Sequence, residues 1–103
     1  MAYLLRFVQR IDTAHREDFL ALERQFVRFE QEHGMPRGRR YLPVSGQQPT
    51  NTLIWECEFP TMEALTQQLT AIYAHPEHER LLALQLPYMQ DCYTEIYETF
   101  AEE

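Results

Sequence analysis

Thr52-Leu53-Ile54-Trp55-Glu56-Cys57-Glu58-Phe59-Pro60-Thr61-Met62-Glu63-Ala64-Leu65 changes period halfway along. Up to Phe59 the residues alternate. Leu53, Trp55, Cys57 and Phe59 point one way and Ile54, Glu56 and Glu58 the other, the pattern of a strand with two unlike faces. After Pro60 the apolar residues Met62, Leu65, Leu69, Ile72 and Tyr73 recur at helical spacing and form one stripe. Thr61 stands where a helix cap belongs. A strand passing through a capped turn into a helix is half of a β-α-β unit.

Upstream, the same passage occurs once more. Tyr3 to Ile11 reads as a strand, with Tyr3, Leu5 and Phe7 on one face and Leu4, Arg6, Val8 and Arg10 on the other. Asp12 and Thr13 offer the start of a helix that runs to about His33, with Gly34 as its left-handed stop. Phe19, Leu22, Phe26 and Phe29 make its apolar stripe, extended by Leu20 and Val27. Glu23 and Glu30 lie between the two groups, nearly stacked. Arg39 to Val44 reads as a short strand, placed at an edge by Pro43, and Gly46 to Asn51 as a polar loop. Downstream, the second helix yields near His75-Pro76. Pro76 suits the first turn of a new short helix carrying Leu81, Leu82 and Leu84, which ends before Pro87. Cys92 to Phe100 is the last strand.

Strand, helix, strand, strand, helix, strand is the split β-α-β order of α+β ferredoxin-like folds, βαββαβ with a four-stranded antiparallel sheet. The 103 residues suit one domain, residues 1–103. Two helices cover one sheet face, which should carry Leu5, Phe7, Leu53, Trp55 and Phe59. The other face would mix Leu4, Val8, Ile54, Tyr93 and Tyr97 with Arg6, Arg10, Glu56, Glu58 and Glu95. That face is too apolar to lie open to water and too charged for an ordinary core. A second copy laid against it would cover the apolar part, with a solvated pocket for the charges. A homodimer follows as the expected assembly.

Composition narrows the function. With 45% hydrophobic residues the chain is far from a disordered composition. A net charge of −7 speaks against nucleic acid or anionic lipid as partners. All nine basic residues are arginine. The absence of lysine removes Schiff-base catalysis and the phosphate-loop lysine. Cys57 and Cys92 fall in separate strands and read as two buried thiols in a reducing cytoplasm. Met1 to Arg6 meets charge too soon for a signal peptide, and no apolar run approaches the ~20 residues of a membrane span.

Glu58-Phe59-Pro60-Thr61-Met62-Glu63-Ala64-Leu65, followed by Tyr73-Ala74-His75-Pro76-Glu77-His78, resembles the stress-responsive dimeric A/B barrel domain. There the second helix ends in a similar histidine-proline-x-histidine step. The long first helix and the last strand resemble the NIPSNAP and antibiotic-biosynthesis-monooxygenase branches of the same dimeric α/β-barrel superfamily. The resemblance implies homodimers with facing sheets and a cavity between sheet and helices. It also implies a range of activities, from polyketide cyclases and cofactor-free oxygenases to haem-degrading enzymes and proteins without known activity. In the plant cyclase of this kind the second histidine of the step is the general base, helped by a tyrosine six residues earlier. His78 takes that position here, but Ile72 stands six before it and Tyr73 comes one place late. The haem-degrading branch needs an asparagine on the first strand, and Asn51, the only asparagine, falls in a loop. No cofactor is expected.

The candidate residues therefore fall into two sets. His78 and Tyr73 are the catalytic candidates, His78 as a base near neutrality; the competing reading makes His75 and His78 structural caps where one helix ends and the next begins. Arg6, Glu56, Tyr97 and Trp55 are the ligand-binding candidates, with Arg6 and Glu56 reading equally as an ion pair in a dimer seam. His75 and His78 are spaced for a shared metal, but Pro76 interrupts the register and no third ligand declares itself, so no metal is expected. Glu23 and Glu30 read as rim carboxylates near arginines, and Arg37, Arg39 and Arg40 as a solvated loop. Two function classes stay open. One is a small-molecule-binding protein whose cavity takes a compact, partly aromatic ligand. The other is a cofactor-independent cyclase, isomerase or monooxygenase using His78.

Overall fold

The computed structural model describes residues 2–100; Met1 and residues 101–103, which the one-domain expectation includes, lie outside the described residues. The elements follow as β1 (Tyr3–Ile11), α1 (Arg16–Glu32), β2 (Arg39–Tyr41), β3 (Thr52–Phe59), α2 (Met62–Tyr73), α3 (Pro76–Gln85) and β4 (Met89–Glu98). The strands form one antiparallel sheet in the order β2-β3-β1-β4. This is the α+β ferredoxin-like arrangement read from the sequence.

Local chemistry sets most boundaries. The Asp12 carboxylate accepts from the Ala14 N–H at 3.2 Å and holds a single 3-10 turn, Thr13–His15, so α1 begins only at Arg16. Gly34 follows the end of α1 with φ +62°, a conformation open to glycine and strained for other residues. The Thr61 hydroxyl accepts from Ala64 N–H at 3.0 Å and starts α2. His75 caps α3 in the same way, its Nδ1 accepting from Glu77 N–H at 3.2 Å, with Pro76 in the first turn. β2 stops at Tyr41 rather than Val44, short of Pro43, which has no N–H for a ladder. β4 begins three residues earlier than Cys92, where Met89 pairs with Ile11 across an irregularity in the register.

Register decides the faces. Leu5 lies opposite Cys57, Phe7 opposite Trp55 and Gln9 opposite Leu53, so these side chains share the helix-covered face. The buried residues there form three separate clusters. Leu5, Trp55, Cys57, Phe59 and Leu65 lie under α2; Ile11, Phe19 and Leu53 lie at the start of α1; Phe26, Phe29 and Leu81 join α1 to α3. Of the α2 stripe only Leu65 is fully buried, while Met62 and Tyr73 are exposed, because α2 packs over β1 and β3 and has no further layer against it. The expectation of two buried thiols holds for Cys57 and fails for Cys92, which is exposed. β4 is an edge strand, and most of its residues are exposed on both faces.

The other sheet face is built in rows. Tyr41, Ile54, Val8 and Tyr93 form one row across all four strands, and Arg39, Glu56, Arg6 and Glu95 form the next. The loop after β2 crosses this face, since the Gln48 amide donates to the Tyr93 hydroxyl at 2.8 Å. Val8 and Ile54 are buried, whereas Tyr41, Tyr93 and Tyr97 remain exposed. No helix among the described residues is long and apolar enough to cross a membrane.

Candidate functional site

The three apolar clusters do not close on one another. Between them, bounded by the sheet and by α1, α2 and α3, lies a cavity of about 220 Å³. Its floor is the stacked pair Phe7–Trp55, with ring centroids 5.1 Å apart and planes inclined by 19°. Phe26 and Phe29 of α1 form a wall, and Tyr73 of α2 with Cys92 and Thr94 of β4 stand at the exposed side. Gly38 is packed so closely on the Trp55 indole that a Cβ there would overlap its ring, which fixes the indole from the β2 side.

One side of the cavity is polar. Arg40 points to the helix-covered face because β2 pairs it with Trp55. Its Nε donates to Glu23 at 2.6 Å, and its terminal nitrogens donate to both oxygens of Glu30 at 3.3 and 2.5 Å. The second Glu23 oxygen accepts from the Gln85 amide at 2.9 Å. Glu23 is 7% exposed and Gln85 fully buried. Burial works against the Arg40 charge, but the bonds and charges of Glu30 and Glu23 outweigh it and hold its pKa above the usual guanidinium value. The expected solvated loop is thereby corrected at Arg40, which is half of a buried ionic network. The pairing of Glu23 and Glu30 with an arginine was legible from their stacking on α1. Which arginine was not, because the choice between Arg39 and Arg40 depends on β2 register.

His78 and Tyr73 come together at the same cavity. Their rings meet edge to face at 5.4 Å, and His78 also touches Phe26 at 5.3 Å. Burial among these rings pushes the His78 pKa down; Glu23 works in the opposite sense, and His75 adds to the lowering. The covered environment favours the neutral imidazole, which carries one donor and one lone pair. Tyr73 is exposed along one side, and loss of water on its covered side, with Cys92 nearby, pushes its phenol up. His75 is the structural cap, packed against His33 at 4.4 Å, and His33 Nδ1 meets the Phe29 carbonyl at 2.8 Å.

Trp55 joins this cavity; Arg6, Glu56 and Tyr97 do not. They occupy the opposite sheet face, where Arg6 lies 3.3 Å from Glu56 and 3.2 Å from Glu95, with its guanidinium over the Tyr97 ring at 5.9 Å. Among the described residues no group of three or more His, Cys, Asp or Glu is placed to hold a metal ion. The cavity's chemistry is thus aromatic packing, a fixed ionic arc and one half-buried imidazole.

No family model and no curated protein matches the sequence. The fold is that of a group of solved α+β structures. A NIPSNAP family protein from Agrobacterium tumefaciens superposes with a TM-score of 0.82 at 9% identity, over 97% of this chain and 94% of that one. An uncharacterized NIPSNAP domain protein from Burkholderia xenovorans gives 0.79 at 16% identity, over 98% and 96%. An antibiotic biosynthesis monooxygenase gives 0.70 at 16% identity, over 98% and 100%. At these identities the likeness is one of fold, the fold that the sequence resemblance implied.

Proposed function

We propose that the protein binds a compact, partly aromatic molecule in the cavity between sheet and helices. The observation that supports this reading is the cavity itself, which leaves three apolar clusters unjoined around a ring-lined space with polar groups along one side. Trp55 is the only tryptophan, so its indole N–H gives a single NMR cross-peak on the cavity floor. A set of one- and two-ring aromatic compounds titrated into labelled protein should move that peak saturably. If none does, the reading fails.

The working unit we propose is a homodimer of one-domain chains, and the unpaired Cys57 and Cys92 suit a reducing cytoplasm. The supporting observation is the half-apolar open face, with Tyr41, Tyr93 and Tyr97 uncovered beside a row of alternating charges. A copy turned about a two-fold axis would cover these rings, and Arg6, Glu56 and Tyr97 would then belong to the seam.

A second reading rests on His78. A neutral imidazole facing the cavity beside Tyr73 has the form of a general base, as in a cofactor-independent cyclase, isomerase or monooxygenase. Under this reading His78→Gln abolishes turnover of a ligand found by the NMR titration while leaving its binding intact. Unchanged turnover would leave a binding protein.

A further inference from the structure

Three histidines gather where α1 ends and α3 begins. His33 and His75 meet at 4.4 Å between ring centroids, and both pack on Phe29, at 4.5 and 4.7 Å. His78 completes the group against Phe26 at 5.3 Å and Tyr73 at 5.4 Å, and with Phe29 it lines the cavity.

The α3 cap fixes the protonation state of His75. Its Nδ1 accepts from the Glu77 N–H at 3.2 Å, so that nitrogen holds a lone pair and Nε2 carries the proton. A second proton can go only to Nδ1, where it turns the acceptor into a donor and ends the cap. It would also set a cation against the positive end of α3. His78 acts in the same direction, because its half-buried ring sits among aromatic rings, where a charge loses its water.

The charges facing this junction are already committed. From α1, Glu23 is held by Arg40 and Gln85. His33, whose Nδ1 lies 2.8 Å from the Phe29 carbonyl, is a further site for positive charge beside His75. From α3, Glu77 is paired with Arg80 at 2.6 and 3.0 Å, and α2 contributes the Tyr73 phenol. Beyond its first turn α3 is anchored, by buried Leu81 in the cluster with Phe26 and Phe29 and by Gln85 on Glu23.

We infer that the first turn of α3, Pro76 to Glu79, is an acid-released latch on the cavity wall. Proton uptake by His75 and His78 frees this turn from α1 and α2 and opens the cavity, while the sheet and the rest of the helix layer stay folded. The latch requires no ligand, so it stands apart from the ligand-binding reading.

The test compares the native chain by NMR at about pH 7.5 and about pH 5, on either side of the histidine range. Exchange protection of the Glu77 amide should fall about ten-fold, the scale of a lost helix cap. Ring contacts of His78 with Tyr73 and Phe26 should disappear from NOE spectra, while the Phe7–Trp55 contact and the protection of Leu65 and Leu69 persist. His75→Asn keeps a capping side chain that does not titrate, so Glu77 should stay protected at the lower pH. Unchanged Glu77 protection in the native chain, an equal loss in His75→Asn, or loss through α2 and the sheet at the same pH overturns the inference. If the variant does not fold, the contrast between Glu77 and α2 in the native chain decides alone.

Discussion

Arg40 reaches from the edge strand to α1 and holds Glu23 at 2.6 Å, tying β2 to the helix layer across the cavity wall. β2 has only three residues and a single neighbour in the sheet, so this side-chain tie does much of the work of anchoring it. Arg40→Met would leave Glu23 and Glu30 close together, largely buried and without their cation. The expected loss is about 3–5 kcal/mol, the usual result of removing one partner from a buried ionic group. Urea unfolding at neutral pH measures it. Arg80→Met, which breaks the exposed pair with Glu77, should barely move the midpoint.

Sedimentation at micromolar concentration should give about twice the chain mass of 12.4 kDa. Glu56→Gln should then destabilise the protein far more than Glu63→Gln, because Glu63 is exposed and Glu56 would be sealed in the seam beside Arg6. The effect of Glu56→Gln should also shrink on dilution. A folded species of single-chain mass would remove the dimer.

His78 should titrate below the ordinary histidine value of about 6.5, because its ring is buried. The unfolded chain takes up this proton first as pH falls, so it binds more protons than the folded chain just below that value. Stability therefore declines as pH drops from about 6.5 toward the depressed folded pKa, and levels off below it. Ring-proton NMR across this range reads the midpoint, and His78→Gln should flatten that part of the stability curve. A free-imidazole titration would contradict the cavity position.

The two thiols should differ sharply toward an aromatic disulfide reagent. Cys92 is exposed and should react at once, whereas Cys57 is buried. Its pKa is pushed up by burial first, then by Glu30 and Glu58, so it carries less thiolate. One equivalent per chain should react quickly and the second only on unfolding. If ligand occupies the cavity beside Cys92, the fast phase should slow, which a stopped-flow comparison with and without an aromatic compound that moves the Trp55 peak would detect.

The features legible in the sequence are those set by near neighbours along the chain. The alternation from Leu53 to Phe59, the Thr61 cap, the Pro76 start and the Gly34 stop each depend on a few adjacent residues, and the structure has all of them where they were read. The two unlike sheet faces follow from the same alternation, since a strand's period of two assigns every side chain once one is assigned. The meeting of Tyr73 and His78 is local too, since they lie five residues apart across a helix junction.

Tertiary structure alone decided the rest. Arg39 and Arg40 are adjacent and chemically identical, and only the pairing of β2 with β3 sends one to the open face and the other onto Glu23 and Glu30. Gln85 gave no signal as a site residue, because its role depends on a helix contact with residue 23, far away in the chain. Cys92 was misjudged for a related reason. A local pattern says which face is apolar, but whether another layer covers that face depends on how far the packed helices extend over the sheet.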